Sequence, residues 1–230
     1  MNTKLNTLLV DYSGHPFQIQ LGKELSRMGG QLKHIYCESF TTPKGNTDAG
    51  NLKNYSIEAI RLSAVVHKTN FLKRRSADIE FGTILSQKIH DERPDRMILS
   101  NLPMDAIRIV TKECKNLGIP YVYWLQDIYH VAMKEVLLKK LPFVGWIPLW
   151  YYEIIEKRAM RSASHIVAIT PDFIRLLKEW GIDESNVSTI PNWAPIDELP
   201  QAKKNNVWAV EHGLEKKDVI LYSGTLGFKH

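Results

Sequence analysis

Three short polar stretches interrupt an otherwise apolar rhythm: YSGHP at 12–16, SNLP at 100–103 and QDIYH at 126–130. Each follows a run that reads as a buried strand. In a sheet of parallel strands, ligands bind at the carboxyl ends of the strands. A glycine turn ahead of a helix also exposes free backbone N–H groups to an anion or a sugar hydroxyl. Ser13, Gly14 and His15 fall in such a turn. Gln126 and Asp127 stand where the apolar run IPYVYWL stops, a position from which a hydrogen-bonding pair can face a cleft. The plainer reading of the same residues is a glycine turn at Gly14 and a helix cap at Asp127. Both readings stay open on the residues alone. His15 and His130 have no partner at metal-ligand spacing and read as hydrogen-bonding loop residues. A fourth stretch, SGTLGFKH at 223–230, has the parts of a phosphate cradle in Gly224, Gly227 and Lys229, although a simple glycine turn is the commoner use of such parts. It does not fit GxxxxGK[ST], and no GxGxxG follows the first strand, so ATPase and NAD-dehydrogenase signatures are both lacking.

The elements that must position these residues alternate. Strands are expected at 5–11, 31–38, 55–63, 95–101, 119–127, 165–170 and 186–192. Helices are expected from Pro16 to Gly29-Gly30, and at 71–92, 103–117, 131–140, 147–163 and 171–180. Ile19, Leu21, Leu25 and Met28 would form the buried face of the first helix. The order implies an α/β fold, a Rossmann-like doubly wound parallel sheet covered on both faces. Residues 193–217 are linker-like with a short helix near 205–212, and DVILYS at 218–223 opens a further strand.

Composition bounds the function class. Hydrophobic residues make up 44% and charged residues 24% of 230, an ordinary globular balance. Two cysteines without a CxxC argue against a disulfide framework or a zinc site and suit a reducing compartment. The net charge of +5 favours anionic partners, and the basic excess is local, at HKTNFLKRRS (67–76) and around KEVLLKKLPFVGWIPLWYYEIIEKR (134–158). The second stretch joins lysines to Phe143, Trp146, Trp150, Tyr151 and Tyr152, the chemistry of a membrane interface. A buried helix pair with outward-reaching lysines would use the same residues. Its charge-free core, 141–152, is too short to span a bilayer, which takes ~20 residues. No nucleic-acid-binding module is recognisable.

Read in order, YSGHPFQIQLGKELSRMGG, YVYWLQDIYH, IEKRAMRSASHIVAIT, STIPNWAPIDELP and VILYSGTLGFKH resemble successive parts of a GT-B glycosyltransferase of family 4. Within it they are similar to bacterial enzymes of capsule, O-antigen and colanic-acid-type polysaccharide assembly. The resemblance covers almost the whole chain, and its specificity lies in order and spacing. It implies an acceptor-binding N-terminal domain over 1–192, an interdomain linker over 193–217, and over 218–230 the first strand and glycine loop of a truncated nucleotide-sugar-binding domain. It implies a retaining hexosyl transfer from a nucleotide-sugar to a polyprenyl-diphosphate-linked saccharide, with neither metal nor cofactor, and a chain that is inactive alone. The acceptor would meet Ser13, Gly14, His15, Gln126 and Asp127, and the donor diphosphate Gly224, Thr225 and Lys229. Many relatives carry His-Asp where this chain has Gln126-Asp127. A glutamine cannot shuttle a proton near neutral pH, so Gln126 is assigned to positioning, and no residue is assigned a catalytic role. Arg74, Arg75, Lys139, Lys140, Trp146 and Trp150 would hold the domain on the inner face of the cytoplasmic membrane. The alternatives are a non-catalytic half that binds acceptor or membrane and needs a separate donor domain, and a GT-B sugar-nucleotide epimerase.

Overall fold

The computed structural model describes residues 5–41, 44, 46–64, 66, 70–194, 196 and 201–220. The chain forms two compact units, Met1–Trp193 and Ala194–His230. In the first, seven strands form one parallel sheet in the order β3-β2-β1-β4-β5-β6-β7. They are β1 (Asn6–Asp11), β2 (Gln31–Cys37), β3 (Tyr55–Ile60), β4 (Arg96–Ser100), β5 (Tyr121–Leu125), β6 (His165–Ala168) and β7 (Val187–Thr189). The helices are α1 (Pro16–Arg27), α2 (Phe71–Glu92), α3 (Met104–Leu117), α4 (Tyr129–Lys140), α5 (Trp146–Arg161) and α6 (Asp172–Glu179). A 3-10 turn, Glu184–Asn186, leads into β7. This is the open, Rossmann-like arrangement that the alternation implies.

The apolar run of the central strand β1 shows what makes this sheet possible. Leu8 and Val10 of β1 join the core formed with Phe81, Leu85 and Ile89 of α2 and with Ala106 and Val110 of α3, while Leu9 between them is equally buried. Parallel strands buried on both faces read as continuous apolar runs for this reason. α2 and α3 meet closely at Gly82, where an added Cβ would stand 2.8 Å from the Ala106 backbone. α1 packs over β2 and β3, and Gly22 faces the Tyr55 ring. Beside it an apolar groove of about 470 Å³, lined by Leu25, Met28, Leu32, Ile98, Pro120 and Val122, lies open.

The sequence reading differs from the fold in detail. β3 ends at Ile60 and β5 at Leu125, so Gln126 and Asp127 project beyond the sheet. Met28, expected on the buried face of α1, is its exposed C-cap. Gln18, Gly22 and Ser26 are buried there with Ile19, because both polar side chains find partners: Ser26 Oγ donates to the Asn54 carbonyl, and Gln18 joins a network below β1. In the second unit α7 (Val207–Glu211) is capped by Asn206, whose side chain accepts from Ala209 N at 3.0 Å. The strand expected over 218–223 falls largely outside the described residues.

Candidate functional site

A cleft of about 230 Å³ opens at the carboxyl ends of β1, β4 and β5. The loop after β1 contributes Tyr12, Ser13 and His15, the turn after β4 contributes Asn101 and Pro103, and the end of β5 contributes Gln126 and Asp127. The structure therefore brings together Ser13, His15, Gln126 and Asp127, residues more than a hundred positions apart in sequence. Gly14 lies in the same loop at φ 74°, left-handed backbone that suits glycine.

Asp11, the last residue of β1, holds this loop in shape. Its fully buried carboxylate accepts hydrogen bonds from the backbone N–H of Ser13, at 3.0 Å, and of His15. The Gln18 side chain is oriented by its neighbours, its nitrogen donating to Asp11 at 2.6 and 2.8 Å and its oxygen accepting from Ser100 Oγ and Asn101 Nδ2. His15 Nδ1 stands 3.5 Å from Asp11 Oδ1 and 3.2 Å from Asn101 Nδ2. Asn101 itself sits at φ 53°, a left-handed conformation that asparagine tolerates better than most residues. Asp11 is not among the residues expected at the site; its signal in the sequence is an acid closing the apolar run LLV just before a glycine turn.

Gln126 is tied on one side only. Its Oε1 accepts from Asn192 Nδ2 at 2.6 Å, while its Nε2 is buried without a partner. Phe17, Trp124 and Trp193 pack nearby as an aromatic wall, the two indoles stacked with centroids 5.8 Å apart. Trp193 Nε1 donates to Gln20 Oε1 at 2.8 Å.

Asp127 is not the cap of the helix that follows. That position belongs to Ile128, and the free N–H groups of Tyr129 and His130 are satisfied from α5. The buried Glu156 carboxylate accepts from them at 2.6 and 3.1 Å and from His130 Nδ1 at 2.7 Å. The resulting negative charge at a helix N-terminus is favourable.

The membrane-contact set divides between two places. Arg74 lines the cleft, with its guanidinium 5.8 Å from the Phe40 ring centroid and 3.8 Å from Asp78. Arg75 pairs with the buried Asp105 at 3.3 Å. Burial pushes the Asp78 carboxyl up to about 6, against the pull of Arg74 and of the Tyr12 hydroxyl that donates to it at 3.1 Å. Lys139, Lys140, Trp146 and Trp150 lie elsewhere, exposed on α4 and α5 with Phe143 between the helices. Gly224, Thr225 and Lys229 lie outside the described residues. Among the described residues no cluster of three His, Cys, Asp or Glu could hold a metal ion, and no helix is long and apolar enough to cross a membrane.

Residues 18–198 match the family model described as Glycosyltransferase Family 4. A search of curated proteins finds no significant match. Among solved structures, UGT89C1 of Arabidopsis thaliana complexed with UDP-L-rhamnose superposes with a TM-score of 0.57 at 12% identity, over 95% of this chain and 56% of that one. Anabaena Alr3699/HepE in complex with UDP-glucose gives 0.52 at 16% identity, over 92% and 50%. A Listeria monocytogenes protein described as a UDP-N-acetylglucosamine 2-epimerase gives 0.53 at 10%, over 83% and 46%. The chain thus spans about half the length of these structures. At such identities the likeness is one of fold.

Proposed function

Because the chain belongs to glycosyltransferase family 4, we propose that it supplies the acceptor-binding half of a retaining sugar transfer from a nucleotide-sugar to a lipid-linked saccharide in bacterial surface polysaccharide assembly. One observation carries this reading: the loops after β1, β4 and β5 converge on a single cleft at the carboxyl edge of the sheet, where open α/β folds bind their ligands. The UDP and UDP-sugar complexes among structures of the same fold support a nucleotide-sugar partner. Within the cleft, Ser13 and the turn at Gly14 offer hydrogen-bonding groups to sugar hydroxyls, and Asp127 offers a carboxylate. Gln126 positions the acceptor through its Nε2, since Asn192 already occupies its oxygen. His15, held between Asp11 and Asn101, faces the same space. The transfer breaks the bond between the sugar's anomeric carbon and the diphosphate. It forms one to the acceptor oxygen, whose proton leaves with the departing diphosphate. The donor-side contacts belong to Gly224, Thr225, Lys229 and further residues of a donor-binding domain, without a metal or cofactor. The described residues alone then bind acceptor and transfer nothing. The exposed Lys139, Lys140, Trp146 and Trp150 seat the domain on the inner leaflet of the cytoplasmic membrane.

The test is equilibrium binding of a polyprenyl-diphosphate-linked saccharide, in detergent micelles, to the 230-residue chain. Saturable binding that weakens at least tenfold in Asp127→Ala and His15→Ala is expected. Binding that ignores both substitutions, or none at all, overturns the assignment of this cleft to the acceptor.

A further inference from the structure

The cleft holds hydrogen-bond donors that no described residue satisfies. Trp124 is 3% exposed, and its indole N–H is buried without a partner. The same is true of Gln126 Nε2 and of Arg74 Nε, and all three side chains line the one cleft. The 3.8 Å separation of Arg74 Nε from Asp78 is an ion pair, too long for a hydrogen bond. Buried polar groups are nearly always satisfied, and an unmet buried donor carries its full desolvation cost. Arg74 comes from α2, while Trp124 and Gln126 come from the end of β5 and the residue just after it, so two segments distant in sequence supply the three donors.

Their type is informative. Each is an N–H, and none can accept. A neutral sugar hydroxyl brings a proton that needs an acceptor of its own, whereas an ionised phosphate is a pure acceptor with several lone pairs. Arginine adds the charge and the fork that match a phosphate, and charge-assisted bonds are about twice as strong as neutral ones. The remaining carboxylates behind the cleft are engaged: Asp11 by the loop amides and Gln18, and Asp78 by the Tyr12 hydroxyl. The cleft, at about 230 Å³, is several times the roughly 30 Å³ share of one water, so it has room for a phosphate group.

We propose that Arg74, Trp124 and Gln126 form an oxyanion subsite that holds a phosphate group of the acceptor. This deepens the acceptor reading of the cleft and rests on it. Recognition starts at the phosphate, and the sugar beyond it is read by Ser13, His15 and Asp127.

The experiment is a titration of the isotope-labelled chain with inorganic pyrophosphate, followed through the tryptophan indole N–H resonances at constant ionic strength. One indole resonance shifts saturably, and Trp124→Phe removes that resonance. Arg74→Gln weakens binding at least tenfold, Arg74→Lys less, and Gln126→Leu severalfold. If Arg74→Gln unfolds the chain, the last two variants carry the comparison. Glucose 1-phosphate and a polyprenyl phosphate in micelles give the same shift, which assigns recognition to the shared phosphate. No saturable shift, an equal shift with glucose alone, a response to the lipid only, or unchanged affinity in the Arg74 and Gln126 variants overturns the subsite. Phosphate binding without nucleotide-sugar transfer by any longer form would sink the transferase reading and leave the subsite standing.

Discussion

Burial holds the Asp78 carboxyl protonated up to about pH 6 and keeps the His34 imidazole neutral down to about pH 4. Asp78 faces Arg74, Tyr12 and Asp105, and His34 faces Tyr55 and Asp11. The two act in opposite senses over one window. A carboxyl raised in the folded state contributes stability at low pH that is lost as pH climbs from about 4 to about 6. A histidine lowered in the folded state contributes stability at neutral pH that is lost as pH falls from about 6.5 to about 4. Each effect is on the order of 1–3 kcal/mol, so the native protein should show a nearly flat contribution from the pair. Asp78→Asn unmasks His34, and its Tm should fall on acidification from pH 7 to 4.5. His34→Gln unmasks Asp78, and its Tm should rise over the same range. Parallel curves for both variants and the native chain would refute the assignment. At Asp11, truncation to Ala leaves the Ser13 and His15 amides without their acceptor. A loss of about 2–4 kcal/mol is expected by denaturant titration, with acceptor binding abolished.

At the scale of elements, α2 and α3 cross where Gly82 meets backbone that cannot move aside. Gly82→Ala should cost about 1–3 kcal/mol despite alanine's better helix propensity, visible as a lower denaturation midpoint. α4 depends on a carboxylate from another helix. Glu156→Ala leaves three donors unmet, and amide exchange at Tyr129 and His130 should accelerate before the rest of the chain. The elements themselves were legible because their signals are local: the β-branched and aromatic run of β5, Pro16 at the head of α1, Gly118 closing α3 in left-handed backbone. The polar loops at 12–16, 100–103 and 126–130 were legible as strand ends. What stayed hidden depends on partners distant in sequence. Glu156 reads as one acid in a basic aromatic helix, and only the fold shows it capping α4 twenty-seven residues away. Arg75 reads as part of a basic run, although Asp105 faces it from α3. Gln18 and Ser26 break the apolar period of α1 because hydrogen bonds, rather than hydrophobicity, put them inside.

For the molecule as a whole, the exposed Phe143, Trp146 and Trp150 stand with Lys139 and Lys140 on α4, α5 and the turn joining them. Aromatic tips flanked by cations bind an anionic bilayer through burial and charge together. Lys139→Glu with Lys140→Glu should weaken co-sedimentation with phosphatidylglycerol vesicles severalfold, and added salt should reproduce the loss. Trp146→Ser with Trp150→Ser should weaken it at every salt concentration; native-like sedimentation of both pairs would rule out this face. The strand order carries a different consequence. β1 sits between β2 and β4, and Thr7 pairs with Arg96. Roughly 90 further residues must therefore leave the ribosome before β1 can complete its pairing, about 5–20 s at ordinary rates of synthesis. During that interval LLV, the most water-averse run near the start of the chain, has one side unclaimed. Slower translation between β2 and β4 should therefore lower the folded yield, and a chaperone that holds short apolar strands should restore it.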